Sequence, residues 1–325
     1  MFPTYHPNFD LMDELSLKKV PFFFMVDFLL EKVEVFQENE IEEESLLIDF
    51  QNFKNMKTTE AENAEIELKI LSESAENYRK GFHFVQDNLR QGNSYLTNYT
   101  VKSEIAINLT LKEIFYHSKA KYKVWYNDEF VFFSPETFVE IIDGQIYTHP
   151  MKGTIEASIE NAVEILKNDV KEKAEHFTVV DLLRNDLSMV ADDVQVDEFQ
   201  RIDFIKTQQK DLYAMSSKIS GKLKPEFQHK IGTVMKTLLP AGSILGAPKP
   251  KTLEIIAEAE NYDRGFYTGV CGWFDGENLD SCVMIRFIEK ENGKLFFKSG
   301  GGITHLSKFA DEYKEMKNKI YVPIH

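Results

Sequence analysis

The stretch FFSPETFVEIIDGQIYTHPMKGT (Phe132–Thr154) sets the fold class. Asp143-Gly144 divides two apolar runs, and this dipeptide suits the positive φ angles of a tight hairpin turn. The hairpin runs into His149-Pro150-Met151-Lys152-Gly153-Thr154, which sets one lysine beside a glycine. Two later segments carry the same signal: Asp275-Gly276 in VCGWFDGENLDSCVMIRFIE and Asn292-Gly293 in FIEKENGKLFFKS. Helical periodicity appears at about 156–185, 225–238, 251–260 and 307–320. Hairpins alternating with helices at irregular spacing predict an α+β chain with mostly antiparallel strands, not a strict βαβ alternation.

Working outward, residues 19–50 predict a strand pair, VPFFFMVDFLLEKVEVF with SLLIDF, joined by a solvated acidic loop QENEIEEES. The run PFFFMVDFLL is too short to span a bilayer and is interrupted by Asp27, so it reads as a buried strand. Residues 70–91 predict an amphipathic helix capped by Ser72 or Ser74 and stopped by Gly92. Residues 94–108 read as extended. With no repeat period or low-complexity linker, the 325 residues are expected to form one domain.

The net charge of −15 argues against nucleic acid and against anionic lipid, both of which need a concentrated basic face. An anionic substrate would have to be held locally, by backbone dipoles or a metal. The only cysteines, Cys271 and Cys282, show no metal-ligand spacing or disulfide framework, and no signal peptide is evident; a cytoplasmic setting is expected.

Four constellations carry chemistry. Glu172 and Glu175 in KEKAEHFTVVDLLRND share a helix face at i, i+3, and Glu312 and Glu315 in KFADEYKEMKNKI repeat the spacing. Two such pairs can bracket a hard divalent ion such as Mg2+, although either pair alone reads first as solvated surface charge. The glycines Gly300, Gly301 and Gly302 in KSGGGITH allow close approach of a ligand to the backbone, or form a flexible turn. LPAGSILGAPKPKTLEIIAEAE feeds a loop carrying Lys249 into a helix N-terminus and lacks the ending of a Walker loop. Finally, the hairpin is expected to carry Glu136 and Lys152 on its two arms, facing one pocket. A lysine becomes a nucleophile when burial or a nearby cation favours its neutral form, and a carboxyl beside apolar walls can donate a proton. A plain salt bridge is the other reading of the pair.

Taken together and in order, SPETF, HPMKGT, KAEHFTVVDLLRNDL, AGSILGAPKPKTLEII, RGFYTGVCGWF, CVMIRF and SGGGI with DEYKE resemble the chorismate-utilising enzymes. The resemblance is dense from about Gly92 to Ile320. It implies two large antiparallel β-sheets packed face to face, helices outside, and a site in the cleft between them. In this family aminodeoxychorismate synthases carry lysine in the P-I-K-G-T motif, where anthranilate, isochorismate and salicylate synthases carry alanine. Lys152 therefore implies amination of chorismate through a covalent lysine adduct, with Glu136 as the acid, toward para-aminobenzoate and folate. The resemblance further implies Mg2+ held by Glu172, Glu175, Glu312 and Glu315. It implies substrate contacts from Tyr267, Arg286, Gly301, Gly302, Lys249 and Thr154. A separate glutamine amidotransferase would supply ammonia.

Three positions depart from the family pattern, all toward apolar residues: Leu96, Ala214 and Leu245. Leu96 replaces the glutamine of amine-transferring members and the general-base lysine of water-adding ones. Ala214 replaces a histidine, and Leu245 replaces threonine or serine. Anthranilate synthase component I, isochorismate synthase and a non-catalytic chorismate-binding protein are the alternatives these changes keep open. The N-terminal portion, about 1–90, is short by family standards, so no tryptophan inhibition is expected.

Overall fold

The computed structural model describes residues 6–56, 66–72, 75–205 and 211–323. Among these, a nine-stranded and an eight-stranded antiparallel sheet pack face to face. The strand Phe22–Val26 shows how the layers arise. Its five consecutive apolar residues are all buried, and their side chains alternate between two cores. Phe22, Phe24 and Val26 face helices outside the nine-stranded sheet, while Phe23 and Met25 point inward to the other sheet. The strand Phe130–Ser134 repeats the device in the eight-stranded sheet: Phe130 and Phe132 point inward, Val131 and Phe133 outward. Each fully buried phenylalanine contributes about 2–3 kcal/mol of apolar transfer, so these doubly buried strands bind the layers together.

The helices Pro7–Leu17, Val170–Val190 and Ile231–Leu238 cover the nine-stranded sheet. Ala75–Arg90, Leu111–His117, Lys249–Ala259 and Phe309–Asn318 cover the eight-stranded one. The two candidate carboxylate helices, Val170–Val190 and Phe309–Asn318, thus come from opposite layers.

The hairpin at Asp143-Gly144 forms as expected, with φ of 51° and 74°, and so does Asn292-Gly293, with 51° and 76°. The third hairpin also forms, Val270–Phe274 with Leu279–Val283, but its loop is wider. Asp275 takes backbone N–H groups of Glu277 and Asn278 on its carboxylate and only Gly276 has positive φ, so the side chain builds the turn. The expected strand pair in 19–50 is corrected. Phe22–Val26 pairs with Val33–Gln37, whereas Leu46–Asp49 crosses to the other sheet and pairs with Tyr122–Tyr126. Asp27 directs this: its carboxylate accepts from Glu31 and Lys32 N–H and closes a tight turn within the run that was read as one strand.

The helix expected from residue 70 begins at Ala75; Leu68–Ser72 is a strand against Leu96–Ile107, and Ser74 lies outside the described residues. Gly92 does end that helix. At φ 77°, its N–H donates to Leu89 O and that of Asn93 to Asn88 O, which is a Schellman cap.

Candidate active site

Lys152 sits on the strand Met151–Glu156, beyond the hairpin rather than on its arm. That strand pairs with Leu212–Leu223, and the register slips between Met151, opposite Ser216, and Thr154, opposite Ala214. Lys152 and Gly153 occupy the resulting bulge. Gly153 adopts φ 79°, and a methyl group there would lie 2.8 Å from Glu172 Oε2. Glycine is thus what lets the Val170–Val190 helix approach the lysine strand. One turn further on, His176 is fully buried, with Nε2 2.7 Å from Ser217 Oγ, and Ser217 N–H donates to Pro150 O. Burial, then the positive charge of Lys152, push the His176 pKa down to about 4, so its ring is neutral at pH 7. Thr154 is exposed.

The first carboxylate pair rides on a helix whose N-cap, Asp169, accepts from Glu172 N–H. Glu172 lies against Gly153, and Glu175 lines a cavity of about 200 Å³ with Leu96 and Thr304. In the second pair, Glu312 is buried and accepts a 2.6 Å hydrogen bond from Ser307 Oγ. Glu315 pairs with Lys319 at 2.7 Å, and the same ammonium donates to Gly300 O at 2.9 Å. A methyl group on Gly301 would lie 3.4 Å from Lys319 Nζ, 3.6 Å from Glu315 Oε1 and 3.8 Å from Glu312 Oε2.

The strand Lys294–Ile303 pairs with Leu96–Ile107 along one edge, while its partner on the other edge ends opposite Lys298. Because Gly300 O turns to Lys319 on that open edge, antiparallel alternation sends the Gly302 N–H the same way and Gly301 toward Tyr99. Of the two expected donors, Gly302 is the one whose N–H this alternation turns to the open edge. Among the described residues no three His, Cys, Asp or Glu side chains gather into a metal cluster. The four carboxylates suit a hard divalent ion in kind, and the close contact at Gly301 provides room beside two of them; Lys319 and Ser307 meet that pair in this arrangement.

Arg286 adopts a left-handed backbone (φ 55°) at the break between Leu279–Val283 and Phe287–Glu291, and its Nε is buried without a hydrogen-bond partner. This unsatisfied guanidinium N–H is a donor that an anion could use. Tyr267 is close enough to feel that charge, although burial dominates and pushes its hydroxyl well above the usual range. Beneath Tyr267 lies a buried ion pair: Arg264 donates from Nε and Nη2 to Glu260 at 2.8 and 2.6 Å. Glu260 also takes the Thr100 N–H and hydroxyl, while Arg264 reaches Asn98 O and Thr268 Oγ1.

Glu136 precedes the strand Thr137–Ile142 and accepts from Ser243 Oγ at 3.2 Å. Ser243 belongs to the short helix Gly242–Leu245. Lys249, expected near substrate, pairs its ammonium with Asp186 at 2.9 Å and donates to Leu238 O. Asp186 has its carboxyl pKa raised by burial, partly offset by Lys249. This pair braces the Gly242–Leu245 helix from behind, since Gly242 packs directly on Asp186.

Of the three departures, only Leu96 faces the candidate site, where its Cδ1 would lie 3.0 Å from a methyl on Gly302. Ala214 is buried in the sheet between Thr154 and Asp203, and Leu245 is buried with Phe28 and Ile256. Sequence reasoning missed Lys319, His176, Ser217 and Ser243. Lys319 was within reach of it, lying four residues after Glu315 at the C-cap of the same helix.

A model of chorismate binding enzymes matches residues 13–325. An uncharacterised PabA-like protein of Haemophilus influenzae is 46% identical over 94% of this chain and 93% of its own length. Its counterpart in Pasteurella multocida is 45% identical over 99% of both. Anthranilate synthase component 1 of Bacillus subtilis is 30% identical over 89% of this chain, which spans 59% of that protein. Among solved structures, anthranilate synthase component I from Streptococcus pneumoniae superposes with a TM-score of 0.67 at 25% identity, covering 79% of this chain and 59% of that one. The menaquinone-specific isochorismate synthase of Escherichia coli shares the fold at a TM-score of 0.70 and 14% identity, over 94% and 78%. By this near full-length match and by its paired antiparallel sheets, the chain belongs to the chorismate-binding enzyme family.

Proposed function

We propose that this chain aminates chorismate at C4, giving 4-amino-4-deoxychorismate, as the large component of an aminodeoxychorismate synthase. The observation that carries the reading is Lys152. The lysine that separates this branch from its relatives stands in a bulge beside Glu172, within electrostatic reach of His176 and Lys319.

The Lys152 amine adds to C2 of chorismate while the C4 hydroxyl departs with a proton from Glu136. Ammonia then bonds to C4, and Lys152 leaves C2. The Ser243 hydroxyl orients the Glu136 carboxyl for proton delivery. Arg286 and Tyr267 hold the pyruvyl carboxylate, for which the unsatisfied Arg286 Nε supplies a donor. Glu172, Glu175, Glu312 and Glu315 would hold Mg2+, which when bound neutralises the ring carboxylate of a dianionic substrate in an acidic protein. Ammonia from a separate glutaminase fits the reading, and the names of the PabA-like relatives hint at such a partner. Among the described residues no helix is long and apolar enough to cross a membrane.

The test is product identity. The purified chain is incubated with chorismate, Mg2+ and ammonium, with and without an aminodeoxychorismate lyase, and the products are resolved by mass spectrometry. Para-aminobenzoate formed only with the lyase, and lost in Lys152→Ala, is the expected result. Anthranilate or isochorismate as product would overturn it, and so would a fully active Lys152→Ala variant.

A further inference from the structure

The C-terminal carboxylate pair already has a cation. Lys319 Nζ lies 2.7 Å from Glu315 Oε1 and 2.9 Å from Gly300 O, on the glycine surface that Glu312 Oε2 also approaches. A carboxylate and a carbonyl around one positive charge are the ligand types a hard metal ion takes. Lys319 therefore does more than extend a surface ion pair. Glu315 is half exposed, so an incoming ion reaches it from solvent without the fold opening. Arg286 and Lys152 also lie within electrostatic reach of Lys319. Glu312 is held by Ser307 Oγ at 2.6 Å.

We propose that Lys319 is the resident counter-ion of the Glu312–Glu315 pair and that a divalent cation enters by displacing it from Glu315. This rests on the reading that the four glutamates take such an ion. The lysine keeps the carboxylates from repelling each other while the site is metal-free, and it lowers the affinity for free metal. The affinity of the site is therefore set by a competition within the protein and not by the carboxylates alone.

The experiment titrates Mn2+ into the full-length chain without substrate and follows free ion by electron paramagnetic resonance. The proteins are wild type, Lys319→Met, Lys319→Arg, Glu312→Gln and Glu315→Gln. Removing the competing charge is expected to tighten Mn2+ binding by about fivefold or more, while arginine leaves it near wild type. The methionine variant melts lower than wild type in metal-free buffer, and Mn2+ raises its melting temperature by more. Lys319→Gln replaces it should the methionine variant not fold. Equal or weaker binding in the neutral variants, with loss of the ion in the two glutamine variants, overturns the competition and leaves the four-glutamate reading standing. Absence of Mn2+ binding in every protein, the unmasked variants included, overturns both.

Discussion

The three consecutive glycines resolve into different demands, which separate stability from function. A methyl group added at Gly300 would lie 2.3 Å from Tyr99 O and 2.7 Å from Thr100 Cα, both backbone atoms of a paired strand that cannot yield. Gly300→Ala is therefore an overpacking change of about 2–3 kcal/mol, beyond the small gain of about 0.5–1 kcal/mol that alanine brings a strand. At Gly301 the nearest atoms are the Lys319 ammonium at 3.4 Å and the Glu315 and Glu312 oxygens at 3.6 and 3.8 Å, which is ordinary contact. Gly301→Ala should thus fold within about 1 kcal/mol of wild type. If the proposed site lies here, the added methyl stands where ligands approach the carboxylate pair, and displacing a ligand there by about 1 Å costs about 100-fold in rate, or roughly 2.7 kcal/mol of transition-state stabilisation. Urea denaturation and kcat/KM for chorismate consumption, measured on both variants, make the test. Gly300→Ala loses stability, while Gly301→Ala keeps it and loses activity. A Gly301→Ala enzyme within threefold of wild type would show that nothing reactive approaches this face.

Two more predictions follow from buried charge. Glu260→Gln leaves Arg264, 2% exposed at its side chain, without its counter-charge and weakens the four hydrogen bonds that Glu260 accepts; about 3–5 kcal/mol of stability should be lost, read by urea denaturation, and Glu260→Met with Arg264→Met should recover part of it. His176 has its pKa depressed to about 4, so between that value and its unfolded value near 6.5 only the unfolded chain takes the proton. The stabilisation it gives is present above 6.5 and is lost as pH falls toward 4, by about 3 kcal/mol in all; melting temperatures from pH 7 to pH 4 should fall less steeply in His176→Gln, and an equal slope would refute the assignment.

What the sequence by itself determined was local. Asp143-Gly144 and Asn292-Gly293 need only their own backbone preferences to turn, and Gly92 needs only its own freedom to end a helix. The ordered motifs, each short and contiguous, identified the family. The tertiary structure decided everything that depends on partners distant along the chain. Hydrophobic runs do not specify which sheet they join, so Leu46–Asp49 crossed to the second sheet although it follows the first in sequence. Lys249 pairs with Asp186, 63 positions earlier by its number, a contact that no contiguous motif announces. Leu245 stood out in the sequence only as a departure from the family pattern; its place in the core beside Phe28 and Ile256 is set by packing. Lys319, at a helix end, gained its place from Gly300 O, on the strand Lys294–Ile303. A motif fixes which groups are available; the long-range contacts fix which atoms each group faces, and on those the chemistry of the site depends.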